Sequence, residues 1–395
     1  MSSTRRDFLR TTACALGGMA MASTIENFGL VGALAQEAAA TDYRALVCIF
    51  LNGGNDGNNM IVSLDQYNGP AGSTTTGYSN VRNPAGLALT QASLLPVAPA
   101  SGGSYGFHPN MPELQSLFTQ GKLAAVCNVG PLVEPLSRAT YQSGTGKRPL
   151  QLFSHSDQVG EWLTSAADTS SQTGWGGRAA DRAAGLNGAA TFPQIISIAG
   201  VNVFVTGLNT RPLAINDSNT SLSTVLPLTM TGTSSEIASR RAAFDQIRSL
   251  DLGARLVKVA SDTRSSSLQT GAALATVSPT IITLFPNTSL GRQLLQVARL
   301  IKASNDQTAG INMKRQIFFV SLGGFDSHSS QRSAGSQDGL LIQVSQAMNA
   351  FYNATVELGV ANNVTSFTLS DFGRTFQPAG SGAGVGSDHG WGSHH

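Results

Sequence analysis

The residues best placed to do chemistry are six histidines and a few acids at the ends of apolar runs. His108, His155, His328, His389, His394 and His395 all lie outside apolar helical faces and strand interiors. His328 comes two residues after Asp326, His389 directly follows Asp388, and His155 sits in Ser154-His155-Ser156-Asp157. Neutral imidazole beside carboxylate suits a divalent transition ion, and mixed Asp/His donors fit Zn, Mn or Fe(II). The alternative is that each Asp/His pair only hydrogen-bonds within its own loop. Two segments share a pattern: Ile49-Phe50-Leu51-Asn52-Gly53-Gly54-Asn55-Asp56 and Val320-Ser321-Leu322-Gly323-Gly324-Phe325-Asp326. In each, an apolar run breaks into Gly-Gly-x-Asp, where glycine lets the backbone turn sharply and approach a ligand. Asp371 follows a third apolar run. The candidate metal donors are therefore Asp56, Asp326, His328, Asp371, Asp388 and His389.

Ser154 or Asp157 reads as the N-cap of a helix beginning Gln158-Val159-Gly160-Glu161. A helix start favours anions, so a serine there could face a phosphate or sulfate ester, or simply cap the helix. Arg374, just past the third run, has the fork to clamp an oxyanion bidentately. Ser154, His155 and Arg374 are the candidate catalytic residues. Gly102-Gly103-Ser104-Tyr105-Gly106 fits G-x-S-x-G but lacks the preceding strand and following helix of a nucleophile elbow. Gly144-Thr145-Gly146-Lys147 lacks P-loop spacing, and the run Gly380–Gly386 reads as a flexible loop.

The elements that must position these residues read as an alternating α/β chain. Residues 43–51 form a buried strand ending in a turn signal. Residues 65–107 read as long surface loops, 112–120 as a helix and 123–129 as a strand. Residues 195–205 read as a strand pair or hairpin, and 206–233 as a cap or excursion from the main sheet. A helix interrupted near Gly253 spans 236–262, and Leu290, Leu294, Val297 and Ile301 share one helical face. Then come a strand at 317–322, a helix at 339–358 and a strand at 364–369. A crossover of that length makes the two flanking strands parallel. Ligands of open parallel sheets bind outside the carboxyl ends of the strands.

The chain has 395 residues with 41% hydrophobic residues and 43 glycines, and only 12% are charged, against roughly 25% in ordinary globular proteins. That composition excludes a coiled coil and a highly charged disordered chain. A net charge of +2 offers no basic surface for nucleic acid. Residues 1–35 read as a twin-arginine export signal: Arg5-Arg6 before Phe8-Leu9, a mildly apolar stretch, then Ala33-Leu34-Ala35 as a cleavage site. The partner during export is thus the twin-arginine translocation machinery, and the destination periplasmic or extracellular. No later apolar run approaches the ~18 residues of a membrane span. Cys14 leaves with the signal; Cys48 and Cys127 lie in strand-like runs, as free thiols or as one disulfide.

Several blocks, taken in order, resemble a bacterial family exported by the twin-arginine route, the domain of unknown function 1501, placed within the alkaline phosphatase-like superfamily. They are Phe50–Asn59, Phe107–Leu114, Gly121–Ala124, Ser154-His155 with Asp157, Gly174–Arg178, Gly323–His328, Phe372–Thr375 and Asp388–Gly390. The resemblance implies one α/β domain over 36–395, a three-layer α/β/α sandwich with a mostly parallel central sheet, and loop or cap insertions at 65–107 and 206–233. It further implies a site of up to two divalent ions at the strand ends, with Asp56 and a Ser154 nucleophile sharing one ion. Asp326 with His328 resembles the first Asp/His pair, although its spacing is tighter than the usual Asp-x-x-x-His. The second pair lacks its histidine after Asp371, and Asp388-His389 is expected to supply it. The family pattern continues past Asp-His-Gly, so the chain is expected to be truncated, with His394 or His395 as further ligands. Two functions follow: an exported metal-dependent hydrolase of small phosphate or sulfate esters, or a non-catalytic exported binding or structural protein on the same fold.

Overall fold

A computed structural model describes residues 40–226, 234–277, 279–305 and 311–395. The twin-arginine segment and part of the expected excursion, 227–233, lie outside the described residues. Ten strands are β1 (Arg44–Leu51), β2 (Ile61–Ser63), β3 (Leu95–Val97), β4 (Tyr105–Phe107), β5 (Ile195–Ser197), β6 (Leu213–Ala214), β7 (Arg315–Leu322), β8 (Val364–Ser370), β9 (Arg374–Ala379) and β10 (Gly386–His389). The main sheet has the order β6-β5-β7-β1-β8 and every pair in it is parallel. β1 is apolar from Ala45 to Leu51 because, as an interior strand between β7 and β8, it is covered on both faces. The expected crossover holds with one refinement. β7 and β8 run parallel, but β1 lies between them rather than the two pairing directly.

The larger helices are α1 (Pro112–Thr119), α2 (His155–Thr164), α3 (Trp175–Ala183), α4 (Ser235–Ser249), α5 (Arg255–Ala275), α6 (Ser289–Asn305) and α7 (Gln337–Glu357). α6 and α7 cover one face of the sheet and α2 and α3 the other, because successive strand residues point to opposite faces, whereas α4 buries no residue. Val47, Ile49 and Leu51 of β1 with Phe318 and Val320 of β7 pack on Leu294, Val297 and Ile301 of α6 and Leu341, Val344 and Phe351 of α7. The intervening Cys48, Phe50, Ile317 and Phe319 face Leu163 of α2, Ala180 of α3 and Phe204. The protein is thus an α/β fold with a five-stranded parallel sheet between helices. Cys48 and Cys127 are both free thiols, the first buried and the second exposed.

Several sequence expectations change or sharpen. Residues 65–107 are not all surface loop: β3 and β4 join β2 in an antiparallel sheet whose Val62 packs with Tyr67, Tyr78, Leu89 and Leu94 in a second small core. Residues 123–129 form no sheet strand, since their partner is the end of the chain: Val126 exchanges two backbone hydrogen bonds with His395, and Val129 bridges Ser393. The hairpin expected at 195–205 is one strand, β5, followed by a single 3-10 turn at Val203–Val205. Leu213–Ala214, within the expected excursion, extends the main sheet as edge strand β6. The glycine run 380–386 turns the antiparallel hairpin of β9 and β10. The helix expected over 236–262 is two helices, α4 and α5, that part at 250–254.

Leu294 is fully buried on the α6 face that meets the sheet. Leu294→Ala is expected to lower unfolding free energy by about 2–5 kcal/mol through lost burial and the cavity left behind. The shift in urea midpoint at unchanged slope measures it.

Candidate metal centre

The register sets Leu51 of β1 beside Leu322 of β7 and Ser370 of β8, so three loops emerge together at the carboxyl end of the sheet. Two of them interlock. Asn52 N–H donates to Leu322 O, and Phe325 N–H donates back to Asn52 O. Gly53, at φ +118°, packs so closely that a Cβ there would sit 2.3 Å from the Asp326 nitrogen. Arg374 ties the loops from below, its side chain 0% exposed. Its Nε donates to Gly54 O, Nη1 to Ser387 O, and Nη2 to Gly53 O, Phe325 O and, at 2.6 Å, Asp326 Oδ1.

On this floor stands a cluster drawn from three separate regions of the chain: His155 at the start of α2, Asp326 and His328 after β7, and Asp388 and His389 on β10. His155, Asp326 and His389 form one group with donor atoms within 4.8 Å of one another, and His328, Asp388 and His389 form a second. His155 Nδ1 is held 2.8 Å from Asp371 Oδ2, a carboxylate that is itself 1% exposed. An ionised carboxylate only accepts, so Nδ1 carries the proton and Nε2 presents a lone pair in the neutral ring. That buried Nε2 has no hydrogen-bond partner among the described residues, and it faces Asp326 Oδ2 at 3.5 Å. His389 Nδ1 donates to Phe153 O at 2.6 Å, so its Nε2 accepts the hydrogen bond from His328 Nε2 at 2.8 Å. Imidazole nitrogens and a carboxylate oxygen converging in this way are the donor chemistry of a divalent-ion site. The Asp371–His155 pair is the arrangement that orients a ligating imidazole.

Burial raises the Asp326 carboxyl, but the Arg374 hydrogen bond and positive neighbours outweigh it and the net shift is downward. His389 is lowered by burial and by the charges of His155, Arg374 and His328, against the Phe153 hydrogen bond. Both shifts favour the forms that ligate metal: ionised carboxylate and neutral imidazole.

The other candidates lie elsewhere or are committed. Asp56 is outside the cluster: Arg82 Nη1 and Nη2 bind its carboxylate at 2.6 and 3.0 Å, Gln331 Nε2 at 2.5 Å, and Asn58 N–H at 3.2 Å. Those donors fill the roughly four lone-pair sites of a carboxylate. Asp371 supports the cluster from behind, since Oδ1 accepts from Gly53 N–H while Oδ2 holds His155. Arg374 cannot clamp an oxyanion as expected, because its donors are spent on buried strand-end carbonyls and Asp326. Ser154 Oγ donates to Asp157 Oδ2 at 2.6 Å and makes no capping bond to the helix. His395 lies in the 126–129 pairing, and His394 Nδ1 accepts from Asn128 N–H in the same pairing. Burial lowers His394 and takes His395 down to about 4. Buried His108 faces Asp338 at 3.2 Å.

Sequence reading missed Arg82 and Phe153. Arg82, fully buried, compensates Asp56 from twenty-six residues away with no local motif to betray it. Phe153 acts through its backbone carbonyl, aimed from φ +77°, a left-handed conformation that side-chain pattern does not reveal.

Residues 43–395 match the model of a family described as a protein of unknown function, DUF1501. No curated protein and no solved structure matches the chain.

Two turns along the helix that begins with His155, burial lifts the Glu161 carboxyl from 4.5 to about 7, with Gln158 Nε2 donating to Oε2 at 2.7 Å as its side-chain partner. The folded chain therefore keeps a proton that the unfolded chain releases, and this contribution to stability is lost as pH rises through that window. Denaturant unfolding of Glu161→Gln is expected to show a smaller fall in stability between pH 4.5 and about 7 than the parent chain.

Proposed function

The chain belongs to the family described as protein of unknown function DUF1501, and we propose that it is a metal-dependent hydrolase of small phosphate or sulfate esters. One observation carries this reading: His155 Nε2, buried and unpartnered, converges with Asp326 and His389 at the carboxyl ends of a parallel sheet. That is where open α/β sheets bind ligands. The donor set of imidazole nitrogens and carboxylate fits Zn, Mn or Fe(II). His155, Asp326 and His389 would hold the ion, and an ion there supplies Lewis-acid polarisation of the ester oxygen and a more acidic water.

The chain's own residues do the rest. Asp371 fixes the His155 tautomer, and the Phe153 carbonyl does the same for His389. Ser154, between Phe153 and His155 in the chain, is the proposed nucleophile: its Oγ would bond to the ester phosphorus or sulfur as the bond to the alcohol oxygen breaks. Asp157 would pass the hydroxyl proton from the 2.6 Å hydrogen bond to the departing alcohol, and water would then hydrolyse the serine ester. The export signal in residues 1–35 belongs to this reading as well, with periplasmic or extracellular action on the ester. Among the described residues no helix is long and apolar enough to cross a membrane.

A non-catalytic binding protein is the second reading. It is favoured by Arg374, whose burial leaves no guanidinium free at this position to hold an anion. Purified full chain, supplied with Zn, Mn or Fe(II), separates the two with p-nitrophenyl phosphate and p-nitrophenyl sulfate. Hydrolysis is expected to be abolished by chelation and by His389→Ala, and lowered about 10- to 100-fold in Asp371→Asn through the oriented imidazole. No turnover of either ester with any of the three metals would leave the binding reading.

A further inference from the structure

We infer that this centre holds a single divalent ion, on His155 Nε2, Asp326 Oδ2 and His389 Nε2, and that buried arginines neutralise the carboxylates a second ion would need. The inference rests on the metal-dependent reading and narrows it. The two candidate donor groups are not independent, because both require His389. His389 has one nitrogen to give: Nδ1 is engaged by the Phe153 carbonyl, so only Nε2 can ligate, where an ion would replace the 2.8 Å hydrogen bond that Nε2 accepts from His328 Nε2. One lone pair serves one ion.

The inner group has the better claim to it. His155 Nε2 is buried and unpartnered, and its ring is locked from behind by buried Asp371. His328 and Asp388 of the outer group are 49% and 69% exposed and lie 3.6 Å apart, and the His328 ring is held at Nε2 by His389 and half-exposed Asp326 rather than by a buried carboxylate. A surface pair of that kind binds an ion weakly, since water competes for both groups.

A second ion beside the first needs carboxylate oxygens beyond Asp326 Oδ2, and those at the strand ends are taken: Asp371 holds Gly53 N–H and His155 on its two oxygens. Asp326 Oδ1 is bound by the Arg374 guanidinium at 2.6 Å, leaving only Oδ2 toward His155. Asp56, the strand-end acid after β1, is saturated by Arg82, Gln331 and a backbone N–H. Bringing an ion to Asp56 would take from the fully buried Arg82 guanidinium its only carboxylate partner among the described residues. In electrostatic terms, Arg374 and Arg82 are permanent cations at the two carboxylates that a two-ion centre would share.

The test is metal stoichiometry, read without any substrate. Full chain is equilibrated with zinc, freed of unbound metal by gel filtration, and its metal content taken by plasma mass spectrometry; cobalt substitution gives a visible spectrum for the same site. The expectation is one equivalent per chain, retained in His328→Ala and Asp388→Asn and lost in His155→Gln and His389→Gln. Circular dichroism and thermal unfolding check that those variants fold. Two equivalents in the parent chain overturn the single-ion inference and leave the hydrolase reading standing. No bound metal in the parent chain overturns both. One equivalent lost in His328→Ala but kept in His155→Gln places the ion on the outer group and overturns the assignment made here.

Discussion

The Arg374 guanidinium is the contact on which the carboxyl end of the sheet depends. Where parallel strands stop, their carbonyls leave the ladder and need donors, and in a buried setting water cannot supply them. Arg374 supplies them at Gly53, Gly54, Phe325 and Ser387, joining the loops after β1 and β7 to the β9–β10 hairpin. A buried cation also needs an anion, and Asp326 is that anion. The residue that completes the fold's electrostatics is thereby the same one that faces His155 and His389. Fold stability and the donor cluster share a carboxylate.

Three strand-end acids that look alike in the chain have three different fates for reasons of register. Leu51 and Leu322 are paired neighbours, yet Asp56 follows the first by five residues and Asp326 follows the second by four, because Asn52 intervenes before the glycines. Asp56 thus runs on to cap the short helix Gly57–Met60 and turns inward to Arg82. Asp326 stays at the surface of the strand end, half-exposed. Asp371, directly after β8, is buried between Gly53 and His155 and acts only through them. Each position settles how much water the carboxylate sees, and whether its partner is a fully buried guanidinium, a guanidinium at the rim of the cluster, or a backbone N–H and an imidazole.

Residues 391–395 tie neighbouring segments together, through backbone pairing and two side-chain hydrogen bonds. Residues 393–395 pair with 126–129, Ser393 Oγ donates to Asn55 O, and Trp391 Nε1 donates to Pro131 O. Gly57 passes so close that a Cβ would lie 2.5 Å from Ser393 Oγ. This returning segment carries His389 over to Phe153 and holds the 126–153 region beside the strand ends. The expectation that His394 and His395 are ligands gives way to this pairing, which draws both imidazoles into buried surroundings that disfavour their charge.

Much of this protein was legible in its residues because the forces involved are local or periodic. The apolar runs of β1, β7 and β8, the 3.6-residue face of Leu290, Leu294, Val297 and Ile301, and the long helix between Gly339 and Leu358 announce a parallel α/β sheet without any knowledge of contacts. The Gly-Gly-x-Asp turns and the Asp/His pairs marked the strand ends as the place for chemistry, and His155, Asp326, His328, Asp388 and His389 do meet there. What the tertiary structure alone decided is which carboxylates remain free to bind anything. Arg82 and Arg374 reach Asp56 and Asp326 across 26 and 48 residues of chain, and Phe153 works through a carbonyl that every residue possesses. Charge compensation in a buried site depends on distance in space and on the water excluded, and neither quantity is written in residue order.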